Sequence, residues 1–179
     1  MDPFHGQRIV LRPLSASDAG AVALYVNEPS LYGNRQLEHD PLGPLSSTRI
    51  ETLVGDANGD HSLGLAVEAL GRLVGHVTAD WWWDAMTPRV GVVISPGEQR
   101  KGYGAEAVTL LLDYLFATTV AEAAHAWIPD FSASGVAFAK TLGFQAAGRM
   151  RRTGLRDGVW FDTLAFDLLR SEWGDRDGT

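Results

Sequence analysis

The pattern of apolar and polar positions divides the chain into short strands and helices. Apolar runs and alternations predict strands at residues 8–12, 62–68, 72–83, 90–95, 122–128, 145–152 and 160–167. Apolar residues spaced three or four apart predict helices at about residues 15–26, 47–54, 104–117 and 134–142. The proline-containing segment 27–46 predicts a loop. The order of elements indicates an α/β (α+β) fold with a single mixed sheet flanked by helices.

The length and composition narrow the class of protein. The 179 residues suit a single domain over residues 1–179, and 45% hydrophobic with 21% charged residues is typical of a soluble globular protein. No apolar run is long enough to span a membrane, and the start of the chain does not resemble a signal peptide, so we expect a cytoplasmic protein that does not bind membranes. The absence of cysteine excludes disulfides, a thiol nucleophile and thiolate metal sites.

The charge balance bears on partners. The chain has 15 basic and 22 acidic residues, a net charge of −7, whereas nucleic-acid binding needs a basic footprint. We therefore expect no nucleic-acid partner. An acidic surface attracts cationic molecules such as amines, although the same charge also serves solubility alone.

The segment 90–107 is the strongest functional signal. An apolar strand leads through a basic turn containing Gly102 and Gly104 into an amphipathic helix. The first amides of a helix lack partners within it and attract anions, and glycines let the backbone approach a ligand closely. Arg100 and Lys101 add positive charge beside this turn. The pattern predicts a cradle for a pyrophosphate group.

The spacing of the glycines within this turn distinguishes it from two common phosphate-binding motifs. It fits neither a P-loop nor a dinucleotide fingerprint, because position 107 is Ala and no glycine is followed by Lys-Ser or Lys-Thr. The pattern Gln99-x-x-Gly102-x-Gly104 after Ile94-Ser-Pro instead resembles the acyl-CoA motif of the GNAT N-acyltransferase superfamily.

Three other segments carry the same resemblance, which spans residues 7–173. They are the opening segment 7–20, the segment 132–144 ending in Leu-Gly-Phe, and the closing segment 156–173. The closing segment is similar to the branch that includes ribosomal-protein-alanine N-acetyltransferases. The resemblance implies a mostly antiparallel sheet of about six or seven strands. It also implies an N-acetyltransferase that uses acetyl-CoA as co-substrate, without a metal, to modify a protein N-terminus or a small-molecule amine. The resemblance is also compatible with a homodimer.

The resemblance also assigns donor-binding residues. In the family, the strand before the cradle splays away from the strand after the helix, and the pantetheine arm lies in the opening. Backbone groups of Val92, Val93 and Ile94 would then contact the pantetheine and thioester. The pyrophosphate would be held by Gln99, Arg100, Lys101, Gly102, Tyr103, Gly104 and Ala105.

The catalytic groups are less well determined, because the chain departs from the family pattern at two places. Arg89 stands where related enzymes often carry a Glu, and residues 130–135 lack the usual Asn. Asp80 and Asp84 flank three tryptophans, where loss of hydration would raise the pKa of a carboxylate toward the range of a general base. The alternatives are a hydrogen-bonded strand role for Asp80, a turn role for Asp84, and a relayed water with no dedicated base. Ser134 is the candidate contact to the donor sulfur or pantetheine, with a helix N-cap as its alternative. A catalytically weak CoA-binding sensor or scaffold is the rival function.

The aromatic and imidazole side chains have structural interpretations. Trp81, Trp82 and Trp83 cannot share one face of a strand, and core packing with an aromatic rim is favoured over a substrate wall. The five histidines are scattered without metal-site spacing: His5, His39, His61, His76 and His125. His76 lies in an apolar run, which predicts a hydrogen-bonded core histidine rather than a base.

Overall fold

The computed structural model describes residues 4–32 and 43–174, so His39 and positions 33–42 of the expected loop lie outside the described residues. Seven strands occur there: β1 Val10–Pro13, β2 Ser62–Ala69, β3 Arg72–Asp80, β4 Arg89–Ile94, β5 Ala123–Pro129, β6 Gln145–Arg156 and β7 Val159–Leu169. The α-helices are α1 Ala19–Val26, α2 Ser47–Gly55, α3 Tyr103–Thr118, α4 Ala133–Thr141 and α5 Arg170–Gly174.

The strands form one sheet in the order β1-β2-β3-β4-β5-β7-β6. Neighbouring strands are antiparallel except β4 and β5, which are parallel and are joined through α3. A parallel pair needs such a crossover, because a tight turn only connects antiparallel strands. The expected mixed, mostly antiparallel sheet of six or seven strands flanked by helices is confirmed.

Two strand boundaries differ from the expectation. β3 ends at Asp80 and not at residue 83, because its neighbours end there: Asp80 pairs with Ser62, the first residue of β2, and with Arg89, the first residue of β4. The last hairpin is longer than expected, with β6 and β7 meeting at Asp157 and Gly158. Both turn residues have positive φ, which Asp-Gly pairs accept readily in two-residue hairpins.

The sheet packs a core on each face. The larger core lies beneath α3 and includes Leu111 and Phe166, while the smaller core lies beneath α1 and α2 and includes Val22 and Ile50. Strand alternation assigns successive β4 side chains to opposite cores. The two faces of the sheet are therefore covered by different helices.

An ion pair anchors the start of α1 to the sheet. Arg12 on β1 contacts Asp18 through two guanidinium nitrogens at 2.8 and 2.9 Å. These bonds, helped by the amide and hydroxyl of Ser15, outweigh burial and lower the pKa of Asp18 to about 2. The chain thus fixes α1 over the smaller core with a bidentate charged contact.

Candidate active site

A gap opens between β4 and β5. Their ladder contains one residue pair, Arg89 with His125, and the amide of His125 donates to the carbonyl of Pro88 at 3.0 Å. Beyond Arg89, the described residues of the two strands form no further pair, although β5 stays paired with β7 along its other edge. The strands therefore diverge toward the end of β4 that leads into α3.

The backbone groups of β4 alternate between the two edges of the strand. The amide of Ser95 donates to Val74 at 2.8 Å, so Ser95 and Val93 direct their backbone groups toward β3. Val92 and Ile94 direct theirs toward the gap. The pairing thus favours Val92 and Ile94 as the donor-contacting residues of this strand and does not favour Val93, whose side chain is buried in the smaller core.

The predicted cradle has the backbone geometry of an anion site. Arg100 and Gly102 both have positive φ, 66° and 84°, immediately before α3 begins at Tyr103. The first backbone bond into the helix runs from the Glu106 amide to the Gly102 carbonyl. In the described part of the chain, no backbone carbonyl accepts from the amides of residues 102–105. These amides are available to an anion.

The cradle adjoins the gap directly. A Cβ placed on Gly104 would lie 3.3 Å from Cγ1 of Ile94, so the helix start packs closely against the end of β4. Gln99 donates from its side-chain amide to the carbonyl of Ile94 at 3.0 Å. The cradle and the exposed edge of β4 thus form one continuous surface.

The charged side chains around the cradle differ from the expectation that Arg100 and Lys101 supply its positive charge. Lys101 pairs with Glu98 at 2.7 Å, so its ammonium already has a carboxylate partner. Arg8, which the sequence reasoning missed, donates to the carbonyl of Lys101 at 3.2 Å and is held by Glu106 at 2.9 Å. A Cβ on Gly102 would lie 2.5 Å from Nη1 of Arg8. The guanidinium of Arg8 therefore lies beside the cradle.

The candidate base Asp80 is ion-paired. Its Oδ2 accepts from Nε of Arg89 at 2.7 Å, and the Arg89 guanidinium carbon lies 5.7 Å from the centroid of the Trp127 ring. The residue that departs from the family pattern is thus the partner of the proposed base. The contact pairs this partly buried carboxylate with a guanidinium group at the start of the gap.

The second candidate base, Asp84, caps a turn. It is exposed and accepts from the amide of Met86 at 2.9 Å and from the hydroxyl of Thr87 at 3.3 Å. This geometry corresponds to the turn role that was its alternative.

Ser134 lies on the first turn of α4 and is exposed. The helix begins at Ala133, and the residue at the N-cap position is the buried Ser132. The alternative role of Ser134 as the N-cap is therefore wrong by two positions. Its role as a donor contact stays a prediction.

A cavity of about 860 Å³ opens on the α2 side of the sheet. Its wall includes the carboxylates of Asp56, Asp60 and Asp80 and the indoles of Trp82, Trp83 and Trp127. A second cavity of about 540 Å³ shares Trp83, His125 and Trp127 with the first. Arg89 lines the same wall and pairs with Asp80, so the carboxylates of Asp56 and Asp60, together with the indole faces, are the groups that suit a cationic guest.

The three consecutive tryptophans do not behave alike. Trp81 packs against the larger core, whereas Trp82 and Trp83 follow the end of β3 and are 73% and 83% exposed. Trp81 thus has the core role and Trp82 and Trp83 form an exposed aromatic rim, as the favoured interpretation expected. His76 is a buried histidine bonded to the hydroxyl of Tyr25 at 2.7 Å, as expected.

Among residues 4–32 and 43–174, no cluster of three or more His, Asp or Glu side chains is placed to hold a metal ion. Within those same ranges, no helix is both long enough and apolar enough to cross a membrane.

Comparisons with known proteins agree with this geometry. Residues 8–145 match the family described as "Acetyltransferase (GNAT) domain". A curated relative, the "Uncharacterized N-acetyltransferase YnaD" of Bacillus subtilis (strain 168), is 22% identical over 169 residues and covers 93% of this chain and 96% of that protein.

Solved structures share the fold. A GNAT-family acetyltransferase from Bacillus anthracis superimposes with a TM-score of 0.81 at 20% identity, covering 94% of this chain and 99% of that one. A spermidine N-acetyltransferase from Vibrio cholerae, solved with CoA and spermine, gives 0.81 at 18% identity with the same coverage of 94% and 99%. With the family match over residues 8–145, the chain belongs to the GNAT acetyltransferase family.

Proposed function

We propose that this protein transfers an acetyl group from acetyl-CoA to a primary amine by direct attack in a ternary complex. The observation that carries the proposal is the gap between β4 and β5, which opens after one residue pair and ends at the cradle. An acyl arm lying in such an opening is reachable by an acceptor from the opposite face of the sheet. Holding both reactants in place lowers the barrier by several kcal/mol in general.

The donor half of the proposal rests on backbone groups. Val92 and Ile94 would hydrogen-bond the pantetheine arm, and the amides of residues 102–105 would surround the diphosphate. The residues fit this group, since Gly102 has a left-handed φ and Arg100 adds an exposed positive charge. Acetyl-CoA supplies the activated acetyl thioester when bound, and the proposal uses no metal.

The acceptor half rests on the larger cavity. Its carboxylates and indoles favour a protonated amine, and its volume suits a small amine or the first residues of a peptide. The Vibrio cholerae relative bound to spermine supports a polyamine. The closing segment of the sequence supports a protein N-terminus of the ribosomal-protein-alanine type. Both acceptors therefore enter the test.

The wider assignments complete the proposal. We take residues 1–179 as one GNAT-like domain that acts in the cytoplasm, with an amine as its partner and no nucleic acid or membrane. The net charge of −7 supports the expectation that nucleic acid is not a partner. Light scattering tests for a homodimer, which would appear as a doubled mass.

Two measurements test the proposed function. Acetyl-CoA and CoA should raise the melting temperature of the protein, while ATP at the same concentration should not, because ligands stabilise the state that they bind. Thiol release from acetyl-CoA should then be accelerated by at least one amine of a panel containing spermidine, a peptide with N-terminal alanine, and phenethylamine. Equal stabilisation by ATP would contradict the donor assignment.

A CoA-binding sensor or scaffold of the same fold is the second candidate. The Arg89–Asp80 ion pair favours this second function, because Arg89 engages the nearest carboxylate at the start of the gap. This candidate predicts selective stabilisation by CoA together with slow acetyl-CoA hydrolysis that no amine accelerates. The panel therefore separates the two functions.

A further inference from the structure

We propose that His125 is the general base that deprotonates the acceptor amine, an inference that rests on the acetyl transfer proposed above. His125 belongs to β5, and sequence reasoning found no pattern that distinguished it from the other histidines. Its position, hydrogen bonding and surroundings each point to this role.

The position of His125 is the first argument. It pairs with Arg89 in the last shared step of β4 and β5, so it stands where the gap begins. Its side chain lines both cavities and is partly buried. Val90 to Ile94 span about 13 Å of strand, so a donor arm that starts at the cradle and lies along β4 runs toward this point.

The hydrogen bonding of the ring is the second argument. Nδ1 lies 2.9 Å from the backbone carbonyl of Thr87, and a carbonyl oxygen can only accept. Nδ1 therefore carries the proton, and Nε2 of the neutral ring carries a lone pair. The contact also fixes the orientation of the ring, as a base requires.

The surroundings of the ring are the third argument. Burial lowers the pKa of His125, although the bond to Thr87 and the charge of Asp80 oppose the shift. Arg89 on β4 adds to the lowering, and Asp167 is its ladder partner on β7. The other titratable groups lining the same cavity are Asp56, Asp60, His61 and His76. The net lowering leaves the ring neutral and able to accept a proton at pH 7.

The carboxylates considered earlier are less suitable. Asp80 uses Oδ2 in the ion pair with Arg89, and Asp84 uses both oxygens in its turn. His125 also has a ring nitrogen committed to Thr87, but that bond leaves the opposite nitrogen as the basic one. The histidine is thus the group at the gap whose fixed contact prepares it for proton transfer.

The proposed step balances as follows. Nε2 of His125 takes one proton from the acceptor ammonium, and the resulting amine nitrogen forms a bond to the thioester carbonyl carbon. The carbon–sulfur bond breaks, the second amine proton goes to the sulfur, and the products are the acetylated amine and CoA. The imidazolium then returns its proton to water.

Replacement by asparagine tests the role. His125→Asn keeps a side-chain NH that can donate to Thr87 but removes the base, so kcat/KM at pH 7 should fall about 100-fold or more with the panel amine that the wild type uses best. CoA affinity and melting temperature should stay close to those of the wild type. His5→Asn, at an exposed histidine that lines neither cavity, should retain wild-type kinetics.

The pH profile separates catalysis from structure. In the wild type, kcat/KM should fall on the acid side with a midpoint below the ordinary histidine pKa, because protonation of His125 removes the base. In His125→Asn this acid limb should vanish, and the rate should keep rising with pH as free amine forms. An unchanged profile in an active variant would overturn the inference and leave the proposed function intact.

Nitrogen NMR of the histidine rings gives an independent readout without an acceptor. At pH 7 the His125 ring should be neutral with its proton on Nδ1. A proton on Nε2, or a charged ring, would overturn the inference. If no panel amine accelerates wild-type thiol release, the proposed function fails, and the inference fails with it.

Discussion

The two sides of the gap present different chemical groups, backbone amides and carbonyls on one side and side chains on the other. The proposed donor side is a single continuous segment, residues 89–106, and it presents backbone amides and carbonyls from β4 and the start of α3. The proposed acceptor side draws side chains from distant segments, including Asp56, Trp82 and His125. Backbone recognition is insensitive to most side-chain substitutions, whereas side-chain recognition changes with each one. On this account, a change of side chains on the acceptor side would alter the amine without altering the donor.

The largest expected effect concerns the ion pair between Arg12 and Asp18, which holds α1 over the smaller core. Asp18→Asn should lower the free energy of unfolding by about 2 kcal/mol at pH 7, because the pKa of Asp18 is about 2 when folded, below its ordinary value of 3.8. Urea unfolding measures the loss. Glu51→Gln, at an exposed position on α2, should change stability little.

The same ion pair gives a pH dependence with a definite sign. The pKa of Asp18 is depressed on folding, so its contribution is complete above about pH 4 and is lost as the pH falls toward 2. The stability difference between wild type and Asp18→Asn should shrink over that window. A difference that stays constant down to pH 2 would contradict the assignment.

The next effect concerns the donor side. Gly102→Ala places a side chain at a φ of 84°, which costs about 1–2 kcal/mol, so the turn should relax out of this conformation in the free protein. Because CoA binding must then restore it, CoA should bind roughly 5–30-fold more weakly by calorimetry. The contact with Arg8 adds less, because a flexible guanidinium can move aside. Gly97→Ala is the matched control, since its Cβ would meet nothing within 4 Å. Equal affinities in both variants would contradict the backbone account of the cradle.

The smallest effect returns to the acceptor side. Trp82→Ala should raise the amine KM about 2–5-fold, because an exposed cation–π contact contributes about 0.5–1 kcal/mol. The affinity for CoA should not change. Trp160→Ala, at a half-exposed residue outside both cavity walls, should alter neither constant. A Trp82 variant that loses CoA rather than amine affinity would remove the distinction between the two sides.

The difference between the two sides also sets what the sequence could predict. The strands and the cradle follow from local signals, because glycine spacing and apolar periodicity occur within continuous stretches of sequence, whereas the gap was expected from the family resemblance. Val92 and Ile94 could be separated from Val93 only once the bond from Ser95 to Val74 fixed which edge each residue faces. The sequence predicts the segment, and the register selects the residues.

The acceptor side depends on register and on long-range contacts, so it was harder to predict. The meeting of Arg89 with Asp80 and His125 needs the alignment of three strands. Nothing local shows that β3 stops at Asp80 and leaves Trp82 exposed. The Asp157-Gly158 pair, by contrast, was a readable hairpin signal that would have given the correct length of β6 and β7.

The most direct test of the account is an amide NMR titration of the protein with CoA, with ATP as the control. If the gap and cradle hold the donor, the amides of Val92, Ile94, Gly102 and Gly104 should shift strongly, while that of Val93, paired toward β3, should shift less. Shifts confined to other parts of the chain, or the same shifts with ATP, would contradict the claim that the opening between β4 and β5 binds acetyl-CoA.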